Sequence, residues 1–578
     1  MNFTAPTADQ VLAIRVNAGI DELAAQPRFA AASPDMVEAI VEGIGQFAAG
    51  EFAPLNRKGD TEGARLANGT VTLPDGFAEA YRAYVEQGWN AVAGDEAHGG
   101  QGLPFTLAAN VLENLGAANM AFSLLPMLTV GAIEALAHHG SPEQQGLYLP
   151  KLVSGEWSGT MNLTEPQAGS DVGALRTTAT PRGAKGPGGT WSIKGTKIYI
   201  TWGEHDLAGN IIHLVLARTP GAPAGSRGIS LFVVPRYLVK PDGALGPRND
   251  LRCVSIEHKL GIMASPTCVM SFGDNDECIG ELVGHENEGL KAMFTMMNSA
   301  RINVGNQGVQ IAERALQQAA RYARERVQSA RAGGSSREPV AIVEHPDVRR
   351  MLLRMRALTE ASRALLYYTA GQVDRGALGD VAAQLRADCL VPMLKAWGTD
   401  IGCEVASLGV QIHGGMGFVE ETGAAQHYRD ARIAPIYEGT NGIQAADLVT
   451  RKLGYEQGGV LASLYAEIAA DCGDAPELAA LAADCREIAV WMSGTASLDD
   501  RLAGSVPFCT MSAVAVAGWQ LQRQARALAG EDTPQAQAKA VVARYFAIHI
   551  ASEARGLKVQ ATAGADLLYA LSAEALAG

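Results

Sequence analysis

The sequence predicts a mainly α-helical protein with a β-domain at its centre, and three changes in the pattern of apolar residues support this. Apolar residues recur at helical spacing from about Thr7 to Ser154, as in the run from Met36 to Phe47. From about Trp157 to Gly284 the chain consists of short β-rich runs separated by Gly, Pro and Asp. Long helical patterns return between Gly289 and Leu453. We therefore expect helices, then strands, then helices.

The predicted elements begin with an N-terminal part that is all-helical. Predicted strands of the β-domain are Trp191–Ile193, Lys197–Thr201, Ile211–Ala217, Ile229–Val234 and Cys268–Phe272. A loop from Ala332 to Pro339 interrupts the later helices, and a linker from Gly454 to Gly459 opens a fourth, Ala-rich helical part. The predicted domains are 1–155, 156–284, 285–454 and 455–578.

The fourth part has two possible roles. Its acidic residues outnumber its basic ones, which argues against a nucleic-acid module. Apolar runs such as Val514 to Trp519 fit helices buried against the rest of the protein. They equally fit a surface that covers another subunit or touches a membrane, so both interpretations stay open.

The composition limits the class of protein. The chain has 578 residues, 47% hydrophobic and 19% charged, which is typical of a globular protein of several domains. Its formal net charge of −14 argues against a nucleic-acid partner, because sequence-independent binders need a basic surface. The eight cysteines form no CxxC pair and no zinc-type spacing with histidines, so we expect a reducing compartment and no metal.

No targeting or membrane segment is predicted. The first twenty residues lack the basic start and apolar run of a signal peptide. The longest apolar stretch, Ala121 to Ala137, is interrupted by Pro126, Gly131 and Glu134 and is too short to cross a bilayer. We expect a cytoplasmic protein without a transmembrane segment.

A carboxylate near the end of the third part is the strongest candidate for chemistry. Glu438 lies between Tyr437 and Gly439, just before a helical run. Partial removal of water would raise the pKa of its carboxyl group toward the range of a general base, and a glycine permits close approach. The alternative is an ordinary helix start, in which Thr440 or Asn441 caps the helix and Glu438 is solvated.

A second candidate is the loop from Met161 to Asp171. Its Thr, Gly and Ser residues could present hydroxyls and backbone N–H groups to an anion such as a phosphate. The alternative is a capped turn at the entry to the β-domain. No GxGxxG follows a predicted strand, so a Rossmann-type nucleotide site is not indicated.

These two segments are similar to signatures of one enzyme family. Ala434 to Gln444 resembles the active-site signature of acyl-CoA dehydrogenases, and Met161 to Asp171 resembles their flavin-binding signature. The resemblance is collinear from about Val85 to Leu453. It implies a helical domain, a β-barrel-like domain, a four-helix-bundle domain and bound FAD, with Glu438 as the catalytic base.

The resemblance also implies the residues that contact FAD. Thr164 would hydrogen-bond the flavin ring, Tyr199 would stack near it, and the Thr201 hydroxyl would reach its N5 side. Gln411 and Gly415 would serve the adenine end of a flavin held by another subunit, which implies a homodimer or a dimer of dimers. The full set of implied FAD contacts is Met161, Leu163, Thr164, Ser170, Tyr199, Thr201, Arg326, His345, Gln411, Gly415 and Thr440.

A helix after the β-domain is similar to the family's CoA-contacting helix. The implied substrate contacts are Ser170, Met297, Asn298, Arg301 and Gly439. Arg301 would pair with a CoA phosphate or orient its neighbourhood, although a surface arginine on a helix is the alternative. Many members have Asp in place of Asn298. Some branches carry their catalytic Glu at the position of Ala300, which leaves Glu438 as the candidate here.

Two segments depart from the family pattern. After Arg326, Ser329-Ala330 and an inserted Gly/Ser loop replace a Phe-Gly pair that helps to hold the adenosine end of the flavin. The extra C-terminal part resembles the extension of larger members, above all broad-range bacterial enzymes and 3-methylmercaptopropionyl-CoA dehydrogenases. The implied substrates are 3-methylmercaptopropionyl-CoA or a medium- or long-chain fatty acyl-CoA.

The implied reaction is α,β-dehydrogenation of an acyl-CoA thioester to a trans-2-enoyl-CoA. The Glu438 backbone N–H and a flavin ribityl hydroxyl would hold the thioester oxygen while Glu438 removes the α-proton and hydride passes to FAD N5. An electron-transferring flavoprotein would accept the electrons. The alternatives are an acyl-CoA oxidase that reduces oxygen, and a relative repurposed for nucleic-acid binding.

Overall fold

The computed structural model describes residues 3–183 and 188–578, and helices fill most of its first 154 residues. The spacing of apolar residues produces helices with one buried face, as in the run Val37, Ile40, Val41 and Ile44. The helices of this part are α1 (Thr7–Ala13), α2 (Ile20–Ala24), α3 (Pro34–Phe47), α4 (Ala53–Glu62), α5 (Phe77–Glu86), α6 (Phe105–Ala118), α7 (Met120–His139) and α8 (Pro142–Ser154).

The prediction of an all-helical N-terminal part is wrong at one place. Strands β1 (Arg65–Ala67) and β2 (Thr70–Thr72) form an antiparallel hairpin. Its two-residue turn is Asn68-Gly69, and both residues have left-handed φ angles of 52° and 76°. An Asn-Gly pair favours this turn because both residues tolerate positive φ. Val71 packs into the hydrophobic core of the β-domain, which explains why the short hairpin persists.

The central part is a twisted sheet, as predicted. Its strands are β3 (Trp157–Asn162), β4 (Thr178–Pro181), β5 (Thr190–Thr201), β6 (Asn210–Ala217), β7 (Ser230–Pro235), β10 (Leu251–Ile256), β11 (Thr267–Phe272) and β12 (Ile279–Val283), with a separate pair formed by β8 (Tyr237–Val239) and β9 (Leu245–Arg248). In the described part of the chain the strand order is β10-β11-β5-β12-β7-β6-β3, and β4 pairs with β5. Only β3 and β6 in this sheet run parallel among the described strand pairs. The two predicted strands at Trp191–Ile193 and Lys197–Thr201 are one strand, β5.

Three long helices follow the sheet. They are α9 (Gly289–Glu325), α10 (Pro346–Ala377) and α11 (Val381–His413), and two shorter helices, α12 (Ala424–Ala431) and α13 (Asn441–Thr450), complete this part. The predicted loop at Ala332 to Pro339 lies between α9 and α10. The end of α13 leads into a short irregular helical turn, Lys452–Gly458, where the linker was predicted.

The C-terminal extension is helical, as predicted. Its helices are α14 (Gly459–Asp471), α15 (Pro476–Gly494), α16 (Leu498–Ala503), α17 (Ser505–Ala527), α18 (Pro534–Tyr545), α19 (Ser552–Arg555), α20 (Lys558–Thr562) and α21 (Ala573–Ala577). The run from Val514 to Trp519 lies in α17 and is buried. Because α17 packs against α10, α11, α13 and α15, burial explains its apolar residues.

The chain forms two compact units. One comprises Gly43–Asn303 together with the N-terminal residues up to Ala5, and the other comprises Pro6–Glu42 and Val304–Gly578. In the second unit the N-terminal segment packs on the extension, since the Asn17 amide donates to the carbonyl oxygen of Gln520 at 3.0 Å. The predicted four domain boundaries stay a prediction.

Among the described residues, one helix is long and apolar enough to cross a membrane. This is α7, whose twenty residues include Pro126 and Gly131, so the prediction that this stretch falls short of a bilayer crossing is wrong by length and composition. Of the most apolar 18-residue window in this helix, 78% is buried. Tertiary packing therefore stabilises the helix across the proline, and burial in a protein core accounts for its hydropathy.

Glycines allow α9 and α11 to cross in close contact. A Cβ atom on Gly308 would lie 1.9 Å from the carbonyl oxygen of Gly398, and one on Gly402 would lie 2.9 Å from the Gly308 Cα. No side chain fits between backbones at these distances. The crossing fixes the part of α11 that precedes Gly398.

We expect Gly308→Ala to destabilise the protein by about 3 kcal/mol or more, because the backbones must separate. Thermal unfolding of the purified protein measures the effect. The control is Gly146→Ala in α8, where a Cβ atom meets nothing within 4 Å. This substitution in an exposed helix position should be neutral or stabilise by about 0.5–1 kcal/mol. Equal unfolding temperatures for the two variants would contradict the close crossing.

Candidate active site

Glu438 lies on a strained turn between α12 and α13. Its φ angle is 55° and that of Gly439 is 82°, so two consecutive residues adopt the left-handed conformation. For a residue with a side chain this conformation costs of order 1–3 kcal/mol, and it persists only where the surroundings enforce it. The Glu438 side chain is half-buried. The alternative of an ordinary helix start predicts a solvated side chain and does not describe Glu438.

Hydrogen bonds hold this turn on both sides of Glu438. The Gln444 side-chain amide donates to the Glu438 carbonyl oxygen at 3.2 Å. The Lys395 ammonium donates to the Gly439 carbonyl oxygen at 2.7 Å. The Tyr437 hydroxyl bonds to the Gln307 side chain, and burial raises the pKa of this phenol. The backbone of the candidate base is therefore fixed.

Thr440 serves as the cap of α13. Its hydroxyl accepts a hydrogen bond from the Ile443 backbone N–H at 3.2 Å, so the capping interpretation is right for this residue. The side chain is exposed, and its predicted contact with FAD stays a prediction.

The predicted flavin loop begins where β3 ends. Met161 lies in the buried strand, and Leu163 and Thr164 are half-buried. The Ile198 backbone N–H donates to the Thr164 carbonyl oxygen at 2.9 Å, which ties the loop to β5. Ser170 is exposed in the same loop.

A buried ion pair that the sequence did not predict lies beneath this loop. The Lys197 ammonium contacts a Glu165 carboxylate oxygen at 2.8 Å, and both side chains are almost fully buried. The same ammonium donates to the Leu163 carbonyl oxygen at 3.0 Å. The Glu165 carboxylate also accepts bonds from the backbone N–H groups of Arg176 and Thr177 and from the Thr177 hydroxyl.

The ion pair changes the pKa of both groups. Burial alone would raise the pKa of Glu165, but the Lys197 charge and the hydrogen bonds lower it to about 2. Burial lowers the pKa of Lys197 to about 8 against the opposing effect of Glu165. Both groups are therefore charged at neutral pH.

The Glu165 carboxylate predicts a stability that declines in acid. The pKa of this carboxyl group is lower in the folded state than in the unfolded state, where it is near 4.5. The charged carboxylate therefore stabilises the fold above about pH 4.5, and this stabilisation is lost as the pH falls toward about 2. We expect the difference in melting temperature between the wild type and Glu165→Gln to be smaller at about pH 3 than at about pH 6, because the carboxylate loses its charge over this range. Calorimetry at several pH values measures it, and a difference that widens in acid would contradict the assignment.

Tyr199 occupies a bulge in β5. Its φ angle is 59°, and the register between β5 and β11 shifts at this point. Positive φ is rare for an aromatic residue, and bulges are frequent beside active sites, where they redirect a side chain. The residue is 60% exposed, so a planar ligand can reach its aromatic ring. Thr201, at the end of β5, is half-buried.

The predicted CoA contacts lie on the first half of α9. Met297 is half-buried, Asn298 is exposed and Arg301 is 8% exposed. The interpretation of Arg301 as a surface residue is therefore wrong, because the residue is buried. Ala300 is buried in the same helix.

The segment after α9 brings Arg326 and His345 together. The Arg326 guanidinium donates to the Gln328 side chain at 3.2 Å, and the His345 ring contacts the Gln328 carbonyl oxygen at 2.8 Å. The inserted loop leaves from a short antiparallel pairing in which the Gln328 backbone N–H donates to the Val340 carbonyl oxygen at 3.0 Å. Both predicted residues thus lie at the base of the insertion.

Gln411 and Gly415 are exposed at the end of α11. The φ angle of Gly414 is 60°, a value that ends the helix. Beside them Phe418 is 90% exposed, the largest value among the exposed hydrophobic side chains of the described residues. The sequence reasoning missed this aromatic residue, although it follows directly on the glycine-rich stretch.

The predicted site residues fall in both compact units. Those between Gly43 and Asn303 are Met161, Leu163, Thr164, Ser170, Tyr199, Thr201, Met297, Asn298 and Arg301. Those in the second unit are Arg326, His345, Gln411, Gly415, Glu438, Gly439 and Thr440. The supporting residues Lys197, Lys395 and Gln444 were not predicted. The sequence feature that could have pointed to Lys395 is a charged residue within an otherwise apolar helical run.

A sheet flanked by helices, an exposed tyrosine on a bulge beside a loop, and a carboxylate on a strained turn are features that the resemblance to a family of flavin-dependent dehydrogenases leads us to expect. Family models agree with this class. Models of the acyl-CoA dehydrogenase N-terminal, middle and C-terminal domains match residues 34–156, 160–275 and 287–453. A model described as acetyl-CoA dehydrogenase C-terminal like matches residues 464–572.

Individual proteins support the same conclusion. The chain is 48% identical to a 3-methylmercaptopropionyl-CoA dehydrogenase of Ruegeria pomeroyi, over 99% of this chain and 100% of that protein. It is 32% identical to a broad-specificity linear acyl-CoA dehydrogenase of Mycobacterium tuberculosis, over 94% and 95% of the two chains. A Bacillus anthracis acyl-CoA dehydrogenase complexed with FAD has the same fold, with a TM-score of 0.75, 21% identity and coverage of 91% and 88%.

The chain belongs to the acyl-CoA dehydrogenase family. It is an FAD-dependent oxidoreductase that dehydrogenates an acyl-CoA. The predicted fold class, cofactor and reaction are thereby confirmed.

Proposed function

We propose that Glu438 is the base that removes the α-proton of the acyl thioester. The observation that carries this proposal is the strained, doubly held turn on which Glu438 lies. A general base must be held within hydrogen-bond reach of the proton it abstracts, and a fixed backbone favours this. Ala300, at the other position used in the family, cannot accept a proton.

The residues of the β-domain fit the flavin. The accessible ring of Tyr199 suits an isoalloxazine ring, and the half-buried Thr164 lies on the loop that is tied to β5 beside it. Bound FAD supplies the acceptor for the β-hydrogen, which leaves as hydride. In this proposal Met161, Leu163, Thr201, Ser170, Arg326 and His345 hold the cofactor, and Met297, Asn298, Arg301 and Gly439 contact the acyl-CoA.

We propose 3-methylmercaptopropionyl-CoA as the substrate. The support is the 48% identity to the Ruegeria pomeroyi enzyme, which extends over the whole length of both chains, including the extension. A medium- or long-chain linear acyl-CoA is the second candidate, since the Mycobacterium tuberculosis relative of broad specificity matches nearly as much of the chain.

An anaerobic titration separates the two candidates. Purified holoenzyme is mixed with 3-methylmercaptopropionyl-, butyryl-, octanoyl- and palmitoyl-CoA while the visible absorbance of the flavin is followed. We expect 3-methylmercaptopropionyl-CoA to bleach the flavin faster than the other thioesters do when each is present at low concentration. Faster bleaching by octanoyl- or palmitoyl-CoA would select the second candidate, and a yellow protein that none of them bleaches would overturn both.

We propose an electron-transferring flavoprotein as the electron acceptor and a cytoplasmic homodimer or dimer of dimers as the active form. The exposed side chains of Met416, Phe418 and Val419, beside Gly415, support association, because groups of exposed apolar side chains mark interaction surfaces. Light scattering of the wild type and of Phe418→Ser tests the assembly. Peroxide formation in air at the rate of turnover would instead indicate an oxidase.

A further inference from the structure

We propose that Lys395 is a positioning residue for Glu438, with its buried ammonium fixing the turn that presents the base. The inference rests on the proposed role of Glu438. Lys395 lies in α11 and its side chain has no exposed surface. Its ammonium donates to the Gly439 carbonyl oxygen at 2.7 Å and to the Asn441 side-chain oxygen at 2.9 Å.

A buried lysine here is unfavourable for local helix stability. The ammonium approaches the first residues of α13, which begins at Asn441. The N-terminus of a helix carries a partial positive charge and favours anions, so a cation is repelled there. Removal of an ammonium from water also costs several kcal/mol unless strong hydrogen bonds compensate. The hydrogen bonds to Gly439 and Asn441 join the ammonium to the turn and to the start of α13, and the nearby Asp400 carboxylate offsets part of the cost of burial. These contacts point to a role in holding the turn.

The turn needs such a contact because two successive residues are left-handed. Glu438 has a side chain and therefore resists φ of 55°. A charged donor forms a hydrogen bond about twice as strong as a neutral one, which suits a carbonyl that must stay fixed. The Gly439 carbonyl directly follows the strained residue, so release of this carbonyl lets Glu438 relax toward an ordinary conformation.

Asn441 connects the turn to α11 through further hydrogen bonds. Its side-chain amide donates to the Ala396 carbonyl oxygen at 3.0 Å and to an Asp400 carboxylate oxygen at 2.8 Å. Its backbone N–H donates to the Pro435 carbonyl oxygen at 3.0 Å. Lys395 and Asn441 together thus fix the position of the Glu438 turn relative to α11. One helical turn after Lys395, Gly398 of α11 contacts α9.

The test compares Lys395→Met with Lys539→Met. Lys539 is 1% exposed and contacts Glu360 and Asp9, so its substitution also removes a buried ammonium from the same unit, away from the turn. For Lys395→Met holoenzyme we expect the rate of anaerobic flavin reduction by saturating acyl-CoA to fall at least about 30-fold, since misplacement by 1 Å can cost about 100-fold. KM and the absorbance spectrum of bound FAD should change little. Lys539→Met should keep the rate within about threefold.

Asn441→Ala provides a second variant in case Lys395→Met does not fold, and we expect it to lose rate at least about fivefold with KM unchanged. A Lys395→Met rate within threefold of the wild type, or a loss matched by Lys539→Met, overturns the inference. In the event that Lys395→Met does not fold, an Asn441→Ala rate within threefold of the wild type overturns it.

A double-mutant cycle separates positioning from a general structural effect. If Lys395 acts through Glu438, adding Lys395→Met to Glu438→Gln lowers the residual reduction rate no further, whereas independent effects multiply. Full activity of Glu438→Gln alone would defeat the proposed base. An inactive Glu438→Gln with an active Lys395→Met would defeat only the present inference.

Discussion

The Glu438→Gln variant is expected to bind FAD normally and to lose nearly all turnover. Glutamine keeps the size of the side chain and its fit on the turn, but its amide cannot take the α-proton. Loss of a general base typically lowers a rate by about 100- to 10,000-fold, so we expect the rate of anaerobic flavin bleaching to fall by at least about 100-fold. Stopped-flow absorbance with saturating acyl-CoA measures it.

The matched control is Glu420→Gln. Glu420 forms an exposed ion pair with Arg429 at 2.9 Å, in the segment between α11 and α12. The same substitution there should change neither the flavin spectrum nor the bleaching rate by more than about twofold, because exposed ion pairs contribute little. If Glu438→Gln bleached as fast as the control, another group would have to be the base.

The Lys197→Met variant is expected to lose stability and to release FAD more readily. Breaking a buried ion pair leaves the Glu165 carboxylate without its counter-charge, at a cost of about 3–5 kcal/mol. Because Lys197 also holds the Leu163 carbonyl oxygen, the loop before Thr164 loses its lower support. We expect the melting temperature of the holoenzyme to fall and flavin fluorescence to appear at a lower temperature than in the wild type.

The control for this variant lies on the same strand. Lys194 pairs with Asp276 at 2.6 Å, but both side chains are largely exposed, so Lys194→Met should cost less than about 1 kcal/mol. Adding Glu165→Gln to Lys197→Met should restore part of the lost stability, since the unpaired charge is removed. A double variant less stable than Lys197→Met would show that the two residues do not act as a pair.

Much of the fold could be predicted from the sequence because the apolar pattern is strong where one face of an element is buried. The strands β6 and β7 lie within one residue of their predicted ends, and the helical run from Met36 to Phe47 lies inside α3. The hairpin at Asn68-Gly69 was missed because each of its strands has three residues, too few for a visible alternation. The length of α7 was underestimated because the apolar stretch was counted from Ala121 to Ala137, whereas the helix spans Met120–His139.

The motifs single out Glu438 and Thr164 as candidate site residues, and their roles stay predictions, but the motifs do not reveal the residues that support them. Lys197 pairs with Glu165 across 32 positions, and Lys395 reaches Gly439 across 44. Distances of this kind depend on how strands and helices pack, which no local pattern encodes. The left-handed conformation of Tyr199 was equally invisible, since an aromatic residue rarely adopts it and the sequence shows only an ordinary strand.

The packing of Asn17 on Gln520 has a consequence for synthesis of the chain. Asn17 and Gln520 lie 503 positions apart in the sequence, so their contact forms only after α17 has been translated. Part of the segment Pro6–Glu42 has an earlier partner in α10, since the Arg375 guanidinium donates to the Ala18 carbonyl oxygen at 2.9 Å. Contacts at the larger separation form slowly and leave incomplete chains prone to aggregation. A chain truncated before Ser505 would lack α17 and therefore the contact of Asn17 with Gln520, and we expect it to aggregate more readily than the full chain.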